Sequence, residues 1–240
     1  MSLKRVKFSA VLLLGLILGI VTMPAKADIG YVIGIIANDS TFDTSGSEEE
    51  GRAGSEVGKT EVTSASVSED ADFTSFFAEV VAKGDNVGIA IGFEYVPGEA
   101  SLGSKTRTDT DVDENTTGTS YTYTAKAEVS DHMTLYVEPI IYPVDFLGVY
   151  GKMGISQVTV NTLEAIASGI DSSAYGDETV FGATFGAGLR VNTPIGLVIK
   201  AEYAKTQYEG VRFVSTTGNN NIIKASPEQE STRLMLGWQF

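Results

Sequence analysis

Counting back from the last residue, Phe240, Trp238, Leu236 and Leu234 point one way, while Gln239, Gly237, Met235 and Arg233 point the other. A period of two is the pattern of a β-strand with two unlike faces. A stripe of large apolar side chains that ends on an aromatic needs lipid or a neighbouring sheet to cover it. The same period recurs upstream, in segments separated by spacers of two kinds. Ile29 to Ala37 is followed by a long polar stretch, Phe73 to Ala82 by the tight turn Lys83-Gly84-Asp85-Asn86, and Val87 to Val96 by a second long polar stretch. A strand ending near Ile141 then turns at Pro143-Val144-Asp145 into Leu147 to Val160. After a loop through Ser172-Ser173 come Glu178 to Val191, the turn Asn192-Thr193-Pro194, Ile195 to Tyr208, a loop rich in Asn219-Asn220-Asn221, and the terminal strand. Short turns at one end and long loops at the other predict an all-β, antiparallel, up-and-down barrel.

The segment Ser130-Asp131-His132 offers a turn that would split Ser120 to Ile141 and make nine strands. Tyr121, Tyr123, Ala125, Ala127 and Val129 share odd parity with Met133, Leu135, Val137 and Ile141, which predicts one pleat running through Asp131. A turn there would also break the long-short alternation and leave an odd strand count. The expectation is eight strands, one of them extending well beyond a bilayer.

Sorting positions by face separates two chemistries. One face carries Tyr31, Ile33, Ile35, Phe76, Val80, Ile89, Ile91, Phe93, Tyr95, Leu135, Val137, Val149, Met153, Phe181, Phe185, Leu189, Leu197, Ile199, Tyr203, Leu236 and Trp238, none charged. The other carries Glu79, Glu94, Glu138, Lys152, Arg190, Lys200, Glu202 and Arg233, interleaved with Gly88, Gly92, Gly148, Gly154, Gly182, Gly186, Gly188 and Gly196. A Lys or Arg on a lipid face near the midplane costs about 2–4 kcal/mol, so charge belongs inside and lipid outside. A soluble sandwich would invert this arrangement. An eight-stranded barrel is only wide enough for side chains to fill, so four acids and four bases predict a packed ion-pair lumen, with the glycines giving the long cations room. A crowded, balanced interior disfavours an open pore.

The amino terminus adds a destination. Lys4, Arg5 and Lys7 precede the apolar run Phe8 to Thr22, and Ala25-Lys26-Ala27 offers a small-x-small cleavage pattern with Asp28 first in the mature chain. The run is shorter than the roughly twenty residues of a spanning helix. The expected organisation is therefore a signal peptide over 1–27 and one barrel domain over 28–240.

Losing Lys4, Arg5, Lys7 and Lys26 moves the formal charge from −14 to −18. So acidic a chain is not a nucleic-acid binder. It has no Cys and hence no disulfide framework or thiolate chemistry. The acidity concentrates between Asn38 and Asp72, where ten carboxylates, Glu48, Glu49 and Glu50 among them, face only Arg52 and Lys59. A solvated surface segment is one reading; divalent-cation bridging to anionic lipopolysaccharide, or docking of a basic partner, is the other. Asp109, Asp111 and Asp113 begin like a calcium loop, but Glu114 stands where a Gly is required and Ser120 where a bidentate Glu should close the site, so no metal or cofactor is expected. His132 is the only histidine, and the residue two positions on is Thr134, where outer-membrane lipid A deacylases carry Ser. The chain reads as a non-enzyme.

The alternating strand that ends in Phe240 resembles the carboxy-terminal insertion signal of bacterial outer-membrane barrels, with Leu234, Leu236, Trp238 and Phe240 as its apolar face. Over nearly its whole mature length the chain is similar to the small eight-stranded outer-membrane barrels: the OmpA transmembrane domain, OmpX-like proteins and opacity-type adhesins. It departs from them in carrying Met235 where a Gly usually stands. The resemblance implies a monomer in the outer membrane of a Gram-negative bacterium, exported by the Sec translocon, escorted by periplasmic chaperones and inserted by the barrel-assembly machinery. It implies a structural or surface-interaction role with acidic outer loops; the alternative is a narrow, porin-like channel for small solutes or ions.

Overall fold

The computed structural model describes residues 27–51, 60–111, 119–163, 175–214 and 222–240. Residues 1–26, which hold most of the expected signal peptide and Ala25 of its cleavage pattern, lie outside the described residues, while Ala27 precedes the first strand and Asp28 opens it. Among the described residues nine strands form a single sheet: β1 (Asp28–Gly51), β2 (Thr60–Lys83), β3 (Val87–Asp111), β4 (Thr119–Val144), β5 (Leu147–Leu163), β6 (Asp177–Asn192), β7 (Leu197–Tyr208), β8 (Val211–Val214) and β9 (Ile222–Gln239). All neighbours are antiparallel, and β9 pairs back onto β1. Strands β7 and β8 lie end to end beside β9, interrupted only at Glu209 and Gly210, so the nine strands make eight walls of a closed barrel. Closure extends to the last residue: Phe240 N–H donates to the Tyr31 carbonyl at 2.9 Å, and Tyr31 N–H to the Phe240 carbonyl at 3.3 Å.

The short turns fall at one end. Gly84 N–H closes the β2–β3 turn on the Val87 carbonyl at 2.8 Å, and Thr193 N–H closes the β6–β7 turn on the Leu197 carbonyl at 2.9 Å. Gly196, grouped by sequence with the luminal glycines, instead sits in this last turn with φ +88°, where a β-carbon would be strained.

At the far end the strands run further than their alternation predicts. The polar stretch after Ala37 is not a loop at its root, because β1 continues to Gly51 and pairs residue by residue with β2 as far as Thr60. Strand β3 likewise continues past Val96 to Asp111. Many side chains of the β1–β2 hairpin beyond Asp43 are exposed or half-buried on both faces, so no apolar stripe marks the strand.

Strand β4 also departs from its expected alternation. It is one strand, but its pleat changes phase at Asp131. Val160, the cross-strand partner of Val129, is buried in the interior cluster against which Val129 packs, whereas Leu135 is exposed on the outside. Both odd-numbered positions therefore cannot share a face. Asp131 is an inserted residue with φ +51°, and the β4–β5 register shifts between Ser130 and Met133. An Asp tolerates this left-handed conformation, and the bulge costs one residue of parity without ending the strand.

Outside, an apolar band circles the turn-side half of the barrel. Tyr31, Ile33, Ile35, Phe76, Val80, Phe93, Tyr95, Leu135, Phe185, Leu189, Tyr203, Leu234, Leu236 and Trp238 are all exposed. Above Tyr95 and Tyr203 the exterior turns polar, with Asp39, Asp43, Asp70 and Asp72 on β1 and β2 exposed and Glu228 and Glu230 on β9 half-buried. The interior changes in the opposite sense: Val158, Val160, Val180, Val211 and Phe213 form an apolar cluster inside the far half. The barrel thus has one inside-outside polarity where it meets lipid and the reverse where it meets water.

Candidate functional site in the lumen

The alternation of β2, β3, β4, β5, β6, β7 and β9 delivers eight charges to one interior level, each at least nine-tenths buried. Arg190 Nη1 donates to Glu79 Oε2 at 2.6 Å. Lys200 Nζ donates to Glu79 Oε1 and reaches Glu138 Oε2 at 2.7 Å. Lys152 Nζ lies 3.2 Å from Glu202, 3.7 Å from Glu94 and 4.0 Å from Glu138. Arg233 Nη1 donates to Glu94 at 2.9 Å and to Glu202 at 3.4 Å. Every acid therefore faces at least two cations, and the eight groups form one continuous network. Buried ions are tolerated only when paired and hydrogen-bonded in this way.

Neighbouring hydroxyls and rings, absent from the charge pattern read in the sequence, add further partners to the network. Tyr136 donates to Glu79 Oε1 at 3.0 Å, Tyr150 to Glu202 Oε2 at 3.0 Å, and Ser75 to Glu94 Oε1 at 2.9 Å. Lys152 Nζ stands 3.9 Å above the Tyr136 ring and Lys200 Nζ 4.7 Å from that of Tyr150, so both cations also have an aromatic face. The signal for these tyrosines was present: Tyr136 and Tyr150 stand two residues before Glu138 and Lys152, on the same face of the same strands.

The luminal glycines serve these rings, not the arginine and lysine stems. Gly34, Gly92 and Gly188 are the direct cross-strand partners of Phe77, Tyr136 and Tyr150. A β-carbon on any of the three would run into its partner's ring.

Two more layers frame the charges. On the turn side, Val81, Ala90, Ile140, Tyr142 and Val198 form an apolar plug. On the far side a chain of hydroxyls links four strands, from Thr134 to Ser156 at 2.7 Å, on to Thr184 at 2.6 Å and to Thr206 at 2.8 Å. Ser40 and Ser231 join at 2.7 Å on the opposite side. Thr134 is thus a structural hydroxyl, and His132 above it meets the Tyr208 hydroxyl through Nε2 at 3.2 Å. The lumen is a stack of apolar, ionic, hydroxylic and again apolar layers.

Leu234, Leu236, Trp238 and Phe240 all stand exposed on the outer face of the closing strand. Asp109 and Asp111 lie on β3, their side chains outside the described set, and Asp113 lies outside the described residues. Among the described residues no cluster of three or more potential ligands forms a metal site.

A closed eight-walled antiparallel sheet, apolar outside and ionic inside, is a membrane β-barrel. No family model matches the chain, and no curated protein matches it. Among solved structures it is similar to Ail, the attachment invasion locus protein of Yersinia pestis, at 10% identity and a TM-score of 0.40, over 87% of this chain and 99% of that one. It is also similar to the translocator domain of the autotransporter NalP from Neisseria meningitidis, at 12% identity and a TM-score of 0.33, over 98% and 97% of the two chains. A Pseudomonas aeruginosa FadL homologue matches at 8% identity and a TM-score of 0.25, over 88% and 90%. The assignment to membrane barrels rests on the strand pairing and the two faces.

Proposed function

We propose that this chain is a non-enzymatic outer-membrane barrel that anchors in the bilayer and presents an acidic surface outside, with a lumen closed to solutes. The observation that carries the reading is the eight-charge network. Its groups neutralise one another across the bore, and the apolar plug and the hydroxyl layer cover it on either side. A conducting path would have to pass between these paired ions, in a bore that eight strands leave only wide enough for side chains to fill.

The export segment and the terminal strand ending in Phe240 support delivery by the Sec translocon and periplasmic chaperones and insertion by the barrel-assembly machinery. The exposed carboxylates of Asp39, Asp43, Asp70 and Asp72 stand just above the apolar band, beside Glu228 and Glu230, which Lys205 already pairs in part. There, divalent cations would bridge them to lipopolysaccharide phosphates. In this reading the barrel acts as a monomer; its sheet closes on itself and leaves no strand edge within the band for a second copy to pair with.

Outer-membrane fractionation with a gel run before and after boiling tests the location. A heat-modifiable band in the outer-membrane fraction is expected, and recovery as soluble protein would overturn the reading. Planar bilayers test the closed lumen. Reproducible single-channel steps that change with Arg190→Gln or Arg233→Gln would replace it with the narrow-channel reading.

A further inference from the structure

The wall between β2 and β3 parts just above the lipid band. Their ladder runs from Lys83 opposite Gly88 to Phe76 opposite Tyr95 and stops there, although β2 extends sixteen residues further from the turn, to Thr60, and β3 to Asp111. On the neighbouring walls β1–β2 and β3–β4, pairing continues to the far ends of the strands. The parting is built into β3 by Pro97, which has no N–H to offer a neighbour, and by Gly98 at φ +89°, where the register of β3 shifts between Val96 and Glu99.

Behind the parting lies a cavity of about 50 Å³. Phe73 of β2 and Val96 and Ala100 of β3 line it from the two sides of the opening, and Val129, Val158 and Val160 from behind. An apolar cavity of about 150 Å³ holds a benzene, so this one has room for the end of an aliphatic chain and not for a ring system or a head group. His132 and Tyr208 form its floor, hydrogen-bonded to each other.

Two observations identify the occupant. The opening is continuous with the lipid-contacting surface, since the exposed rings of Phe76 and Tyr95 stand immediately below it. Its rim is acidic, with Glu99 lining the cavity mouth and Asp131 exposed beside Ser130, the partner of Glu99. An anionic head group would be repelled there, whereas a neutral hydroxyl can donate to a carboxylate.

We propose that the β2–β3 parting is a lateral binding slot for a neutral single-chain aliphatic amphiphile, whose chain end enters the cavity from the outer leaflet while its hydroxyl stays at the acidic rim. The proposal rests on the apolar band being embedded in lipid and goes beyond the anchoring role.

The test uses the mature barrel in lipid nanodiscs, titrated with 1-decanol and, separately, with decanoate at neutral pH while amide shifts are followed by NMR. Saturable shifts centred on Phe73, Ala100 and Val158 are expected for decanol, with decanoate at least tenfold weaker. Ala100→Trp and Val160→Phe, which fill the cavity from opposite sides, should each abolish saturation while the protein stays heat-modifiable. Shifts spread evenly over the outer band, equal affinity for the two ligands, or saturation that survives in a heat-modifiable filled variant would overturn the slot. If both variants misfold, the wild-type titrations decide. A preparation that is not heat-modifiable fails the barrel reading itself, and this separates the two outcomes.

Discussion

Tyr136 lies over Gly92, its direct cross-strand partner, and from that position its hydroxyl reaches Glu79 at 3.0 Å. The missing side chain is what lets the ring lie against the wall, and the ring in turn supplies Glu79 with a third donor beside Arg190 and Lys200. Gly92→Val should therefore displace the ring and destabilise the barrel by about 1–3 kcal/mol, the usual cost of overpacking. Tyr136→Phe keeps the packing and removes only a hydrogen bond to a buried charge, worth about 1.5–3 kcal/mol. Reversible urea unfolding in lipid vesicles measures both. If Gly92→Val is neutral, the ring has another place to go and the pairing is incidental.

Glu79 is the hub that joins Arg190 to Lys200. Glu79→Gln leaves two buried cations short of a counter-charge and should cost about 3–5 kcal/mol. Adding Lys200→Met removes one of the stranded cations, so the double variant should be more stable than the sum of the two single losses implies. A double-mutant cycle reads this directly; simple additivity would mean that the two groups are not coupled.

Much of the barrel wall was legible in the sequence because lipid imposes a rule that water does not. Ile33, Ile35, Leu236 and Trp238 alternate visibly since every second position must avoid charge, and the structure exposes all four on the outer band. Beyond the band the rule lapses. Thr63, Ser64, Ala65 and Ser66 stand on a strand but are exposed on both faces, so a strand there looks like a loop. The phase change at Asp131 was hidden for a different reason: one inserted residue leaves the apolar pattern intact on each side and only exchanges which face it occupies. The Tyr–Gly contacts depend on which residue stands opposite which. That is set by register across strands forty or more residues apart, as between Gly92 and Tyr136, and alternation within one strand carries no record of it.

The two exteriors make a paired test. Leu189 sits within the outer band, with Ala201 and Val149 as cross-strand partners, whereas Thr159 lies on the outside of β5 above it. Leu189→Arg should lower stability in a bilayer by about 2–4 kcal/mol. Thr159→Arg should stay within about 0.5 kcal/mol of the parent. Unfolding free energies in bilayers of matched thickness check the contrast, and equal costs at the two positions would mean that the band boundary is misplaced.

The lipid-facing part of β4 runs from Met133 to Ile141, so His132 stands above it, inside the barrel. Burial pushes its imidazole down from an ordinary value of 6.5 to about 4; the nearby Glu94 carboxylate pulls it up, while Arg233 pushes it further down. Tyr208, its hydrogen-bond partner, stays neutral throughout this range. Between pH 6.5 and 4 the unfolded chain takes up a proton at this position that the folded barrel refuses. The contribution of His132 to stability is therefore complete above pH 6.5 and is lost as the pH falls towards 4, by about 3 kcal/mol over the whole window. His132→Gln, which has no titrating proton, should flatten that part of the stability-versus-pH curve. Urea midpoints at half-unit pH intervals for the two proteins give the comparison. A wild-type curve that is already flat from pH 6.5 to 4.5 would show that water or a counter-charge reaches the ring, and that the cavity above it is wet.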